Sequence, residues 1–234
     1  MKKNTILKYI VVFCYLLSIT ILFHCIRIRF RPGAYILTNN RLILLSIVCA
    51  LVYIASVILV KNFHANKKLL KLNLIIYFLI YTTTIFTLTL FDEIFGRQGF
   101  VFVDWDMDLL KSYTSLSFNI IPFKTIKLFI LGYKYNLVTF GAFFENIFGN
   151  ILVFMPYGFF IPMLFKKINT YVKFLVFILL IVILIEISQF FTMSGSFDID
   201  DIMLNVIGAS IAYGIYRIPL IKKIIHKILL FEEI

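Results

Sequence analysis

Apolar residues in this chain fall into long runs separated by short polar clusters, with no period-two alternation that would suggest strands. A helix needs about 20 mostly apolar residues to cross a bilayer core of roughly 30 Å. Six runs meet that length: Thr5–Ile26, Arg41–Val60, Leu69–Leu90, Glu145–Phe165, Tyr171–Phe191 and Asp201–Pro219. The pattern predicts an all-α, polytopic membrane protein with about six transmembrane helices. Between the third and fourth runs lie Phe91 to Phe144, too long for a structureless link. Within them Ser117–Ile126 is apolar but too short to span, so an interfacial or re-entrant element is expected there. Phe100, Phe102, Trp105 and Tyr113 suit an aromatic belt at the membrane interface.

The fourth and sixth runs are broken by polar and small residues. Asn150 and Pro156 interrupt the fourth, and Pro156 predicts a kink. Asn205 interrupts the sixth, where Gly208/Ala212 and Ser210/Gly214 offer small pairs four apart for close helix contact. Around the link between the fifth and sixth runs the polar groups concentrate. Glu186 and Gln189 share a face before it, and a helix starting near Asp198 aligns Asp198, Asp201, Asn205 and Gly208 after it. Counted along the helices, Asn150, Glu186 and Asn205 each lie about 6–7 Å below one surface. A carboxylate in hydrocarbon costs about 2.5–3.5 kcal/mol, so Glu186 should turn inward toward Asn150, Gln189 or Asn205. Several carboxylates cannot satisfy one another while ionised, and the cluster calls for a cation, a proton or a basic ligand.

Composition agrees with the pattern: 62% hydrophobic residues and a mean hydropathy of +0.99 exclude an ordinary soluble domain. The net charge of +11 is then read as topology, and nucleic-acid binding is excluded because no basic stripe lies in soluble sequence. Lysines and arginines at the N-terminus, the second and fourth links and the tail total 14 of 23, which places both termini in the cytoplasm. Arg27, Arg29, Arg31 and Arg41 run against that orientation. Eight of the twelve acidic residues fall on the outer side. Cys14, Cys25 and Cys49 sit in apolar runs at no metal-like spacing and read as small hydrophobes. No small-x-small cleavage site follows the first run, which is taken as an uncleaved helix.

Four stretches resemble the VanZ family of bacterial membrane proteins: Asn119–Ile126, Asn146–Gly158, Glu186–Gln189 and Phe197–Ala209. They stand in the family's order, within roughly Leu74 to Pro219. Family members often carry a basic residue just before the Phe-Asp-x-x-Asp element, where this chain has Ser194-Gly195-Ser196. The expected organisation is an N-terminal transmembrane hairpin over 1–68, a VanZ-like helical domain over 69–219 and a basic cytoplasmic tail over 220–234. The resemblance implies a multi-pass protein of the bacterial cell membrane giving low-level resistance to glycopeptide antibiotics of the teicoplanin type.

Asn119, Asn150, Glu186, Gln189, Asp198, Asp201 and Asn205 are the expected ligand-binding residues, in a carboxylate and amide pocket at the outer face. No catalytic residue and no cofactor are assigned. The expected partners are the bilayer and a lipoglycopeptide or a cell-wall lipid precursor. The competing reading is a metal-dependent intramembrane enzyme acting on polyprenyl or cell-wall lipid precursors, with Asp198-x-Asp200-Asp201 holding Mg²⁺. That reading wants a second Asp-rich element, which the sequence lacks. A purely structural membrane subunit is the third reading.

Overall fold

A computed structural model describes residues 2–29, 38–63, 67–91 and 106–228. The expected belt residues Phe100, Phe102 and Trp105, and the acidic Asp92, Glu93 and Asp104, lie outside the described residues. The described residues are helical almost throughout, and by compactness the chain divides into two units, Met1–Thr83 with Lys222–Ile234, and Thr84–Ile221.

The first unit contains α1 (Lys2–Arg29), α2 (Thr38–Phe63) and most of α3 (Lys67–Phe91). Helices α1 and α2 pack through Val11, Cys14 and Ala55, so Cys14 does act as a small buried hydrophobe. All three cysteines are free thiols. A polar seam joins the three helices: Asn73 donates to Ser56 Oγ at 2.5 Å, and Tyr15 donates to Asn73 Oδ1 at 3.2 Å.

In the second unit α4 (Met107–Ser117), β1 (Phe118–Asn119), α5 (Lys124–Lys134) and α6 (Phe140–Phe144) precede the long helices. Helix α6 runs through one π-helical turn, Glu145–Gly149, into α7 (Asn150–Leu164), which holds both Pro156 and Pro162. Then follow α8 (Tyr171–Phe191), β2 (Phe197–Asp198) and α9 (Ile199–Arg217). Helices α7 and α9 pack against each other along their length. A Cβ on Gly208 would sit 1.9 Å from the Ile151 carbonyl oxygen, and one on Gly158 would sit 2.5 Å from that of Ala209. Backbones this close need glycine at the crossing. Gly208 and Ala212 thus make the expected contact. Gly214 does not, since a Cβ there meets nothing within 4 Å, while Ser210 accepts a bond from Tyr171 at the start of α8. Two residues along a helix turn it by about 200°, so the two pairs cannot face the same neighbour.

Among the described residues four helical stretches are long and apolar enough to cross a membrane: Asn4–Cys25, Ile43–Phe63, Phe140–Leu164 and Tyr171–Phe191. The last expected span qualifies only when α9 is joined to α10 (Pro219–Ile228) across a 91° bend. Leu70–Phe86, in α3, is a shorter apolar helix.

Candidate functional site

Residues β1 and β2, far apart in sequence, form a two-residue parallel bridge that pairs Phe118 with Phe197 and Asn119 with Asp198. Stacked rings of Phe118 and Phe197, 4.9 Å apart, cover it. The bridge sets Asp198 at the N-cap of α9, where its Oδ1 accepts from the Asp200 N–H at 2.8 Å. The same oxygen accepts from Asn119 Nδ2 at 3.0 Å, and Oδ2 accepts from the Thr125 hydroxyl at 2.5 Å. Asn119 Oδ1 in turn accepts from the Ile121 N–H at 3.2 Å.

Asp200 is fully buried and serves a different helix. Its Oδ1 accepts from the Phe123 N–H at 2.5 Å, and its Oδ2 accepts from Thr125 and Ile126 N–H at 2.8 and 3.1 Å. These are the orphan donors that open α5, whose own N-cap residue, Phe123, offers no side-chain cap. A carboxylate there also meets the positive end of the helix dipole. The need for a cation or proton, expected from counting carboxylates against one another, is therefore met at Asp198 and Asp200 by protein donors.

Glu186 is buried near the end of α8, and its Oε2 accepts from the Asp198 N–H at 3.2 Å. Asn150 donates to Asp201 Oδ1 at 2.5 Å and to the Asn146 carbonyl at 3.0 Å, so α7 and α9 are joined by an amide–carboxylate pair. Gln189 turns away from this group and donates to the Thr89 carbonyl at 3.0 Å. Asn205 is 5% exposed, and its Oδ1 has no partner among the described residues. It lies one turn beyond Asp201 on the face of α9 that also carries Gly208.

Of the expected residues, Asn119 and Glu186 each meet Asp198, Asn150 meets Asp201, and Gln189 meets the Thr89 carbonyl. Asp200, Thr125 and Tyr113 are additions. The Tyr113 hydroxyl donates to the Gly195 carbonyl at 2.7 Å, tying α4 to the turn before β2. Asp200 had a visible signal, since Asp198-x-Asp200 at a helix start places an acidic side chain in the first turn.

The VanZ/LLP1 family model matches residues 78–222, more than half of the chain. The chain belongs to the VanZ/LLP1 family. Over 94 residues it is 29% identical to Protein VanZ of Enterococcus faecium, an overlap covering 39% of this chain and 58% of that protein. The chain therefore spans less than two thirds of that relative's length. No solved structure matches it. Every residue of the VanZ-like site, from Thr89 to Asn205, lies inside the matched region, whereas α1 and α2 lie before it. With four spanning-length helices and this family, the chain is a membrane protein.

Proposed function

We propose that this VanZ-like protein gives tolerance to lipoglycopeptide antibiotics of the teicoplanin type. The polar layer where α7, α8 and α9 meet β1 and β2 is the part that engages the drug or the cell-wall lipid precursor it targets. The basic-residue count favours the cytoplasm for both termini, which puts this layer at the outer face. Asn205 carries the proposal. A buried acceptor without a partner costs about 1–3 kcal/mol. In a layer whose carboxylates are otherwise hydrogen-bonded, it supports a place kept for an N–H or O–H donor from a ligand. Amine- and amide-bearing glycopeptides supply such donors.

The metal-dependent alternative gains no geometric support. Among the described residues no three His, Cys, Asp or Glu side chains are placed to hold a metal ion. Asp198 and Asp200 spend their oxygens on the donors described above.

Expression in a sensitive Gram-positive host tests the proposal. Tolerance to teicoplanin should rise more than tolerance to vancomycin, which lacks a lipid tail. Glu186→Gln and Asp201→Asn should abolish the rise at normal membrane abundance, while Asp108→Asn on the exposed start of α4 should not. Asn205→Leu is the sharper variant, because it removes the unpaired acceptor. It should leave the protein as stable as the parent or more so, yet without tolerance. Full tolerance in Asn205→Leu would show that the amide only packs helices.

A further inference from the structure

The turn between β1 and α5 has a shape that the polar network alone does not require. Ile120, Ile121 and Phe123 project outward with 62%, 60% and 60% of their surface exposed. Phe123 holds φ of 64°, a left-handed conformation that bulky L-residues rarely adopt. Asp200 fixes the backbone on both sides of it through the Phe123 and Thr125 N–H groups. The protein thus keeps three large apolar side chains pointing away from its own core. Beside this prong, α5 presents a basic stripe. Lys124, Lys127 and Lys134 are exposed and spaced three and seven apart, which aligns them along one side of the helix. None of the three makes a salt bridge among the described residues. The opening N–H groups of α5 are already taken by Asp200, so any anion beside this helix must be held by the lysines.

We infer that the prong and α5 form an interfacial binding surface for anionic phospholipid. Ile120, Ile121 and Phe123 insert among the acyl chains, and Lys124, Lys127 and Lys134 hold phosphate headgroups at the level above them. The charge complements a phosphodiester, and long lysine side chains reach from an apolar level to the headgroups. This surface is independent of Asn205 and of any antibiotic.

The test uses the full chain in nanodiscs. Trp105→Phe removes the single tryptophan, and Ile121→Trp places a probe on the prong. Quenching is compared between phosphatidylcholine discs holding a minor share of brominated phosphatidylglycerol and discs in which the same share of phosphatidylcholine is brominated instead. Bromines on phosphatidylglycerol should quench about fivefold more per lipid, the enrichment one lysine near an anionic surface supplies. Lys124→Gln, Lys127→Gln and Lys134→Gln together should bring the ratio to one while the probe stays quenched. High salt should lower the ratio in the lysine-intact protein, which reads the same contact without a folding risk. A probe unquenched by either lipid would mean that a second copy, another protein or water covers the prong. Equal quenching by both lipids, or a ratio indifferent to salt, would remove the lysines from the site. Each of these results overturns the inference.

Discussion

Replacing Asp200 with asparagine changes one buried oxygen into an NH2 group at nearly constant volume. The amide has two ways to sit. With its nitrogen toward the Phe123 N–H it strands one donor; the other way it strands those of Thr125 and Ile126. The first is cheaper. One stranded buried donor costs about 1–3 kcal/mol, and two bonds reduced from a charged to a neutral acceptor lose about 1 kcal/mol each. The sum is about 4 kcal/mol, taken from a side chain with no solvent exposure to screen it. Set against a total stability of about 5–15 kcal/mol, that releases the start of α5 before it unfolds the protein. Hydrogen exchange in detergent or nanodiscs reads the change directly. At about 1.4 kcal/mol per tenfold, the Thr125 and Ile126 amides should exchange several hundredfold to a thousandfold faster in Asp200→Asn. Exchange within about tenfold of the parent, in a protein still folded, would mean that the clamp is worth less than about 1.4 kcal/mol and that the reasoning fails.

Other perturbations follow from the packing and the charge pattern. Gly208→Ala should lower thermal stability by about 3 kcal/mol or more, since the Ile151 backbone must move, whereas Gly214→Ala should be neutral or raise it by about 0.5–1 kcal/mol; a thermal shift assay on the two variants decides. In a cysteine-free background a cysteine at Ser196 should label with an impermeant thiol reagent in intact cells, and one at Asn169 only after lysis; the reverse would invert the orientation. Cysteines replacing Asn150 and Asp201 should join through a short bifunctional reagent in membranes, and failure to join would contradict the amide–carboxylate contact between α7 and α9.

The long apolar runs made most of the helices legible, because burial in lipid selects length and composition, and both are written in residue types. Glu186, Asp198 and Asn150 were legible as polar groups too costly to leave facing lipid. Their partners were harder. Asp200 is satisfied by backbone N–H groups of Phe123, Thr125 and Ile126, and every residue but proline carries that donor, so no residue type marks it. Depth counting placed Asn150, Glu186 and Asn205 at one level but carried no angular information about neighbouring helices. Hence Asn150 meets Asp201, and Glu186 meets the backbone of Asp198. The π-helical turn at Glu145–Gly149 was equally hidden, since Asn146 and Gly149 are compatible with an ordinary helix. The residue type of Tyr113 suited an interface but gave no sign that its hydroxyl meets a carbonyl some eighty residues away.

The bridge between β1 and β2 also sets an order of events during synthesis. Asn119 and Asp198 are separated by 79 positions, and the caps of α5 come from 74 to 77 positions downstream. At about 5–20 residues per second, a ribosome needs roughly 4–16 s to cover that interval. From the addition of Lys134 until Asp198 and Asp200 follow, the segment from Phe118 to Lys134 exists without the residues that shape it. A nascent chain stopped before Phe197 would hold its first four spanning-length stretches and still lack a finished α4–α5 turn. The last helical hairpin therefore acts as the closing step of assembly, because it alone carries the caps that finish the start of α5.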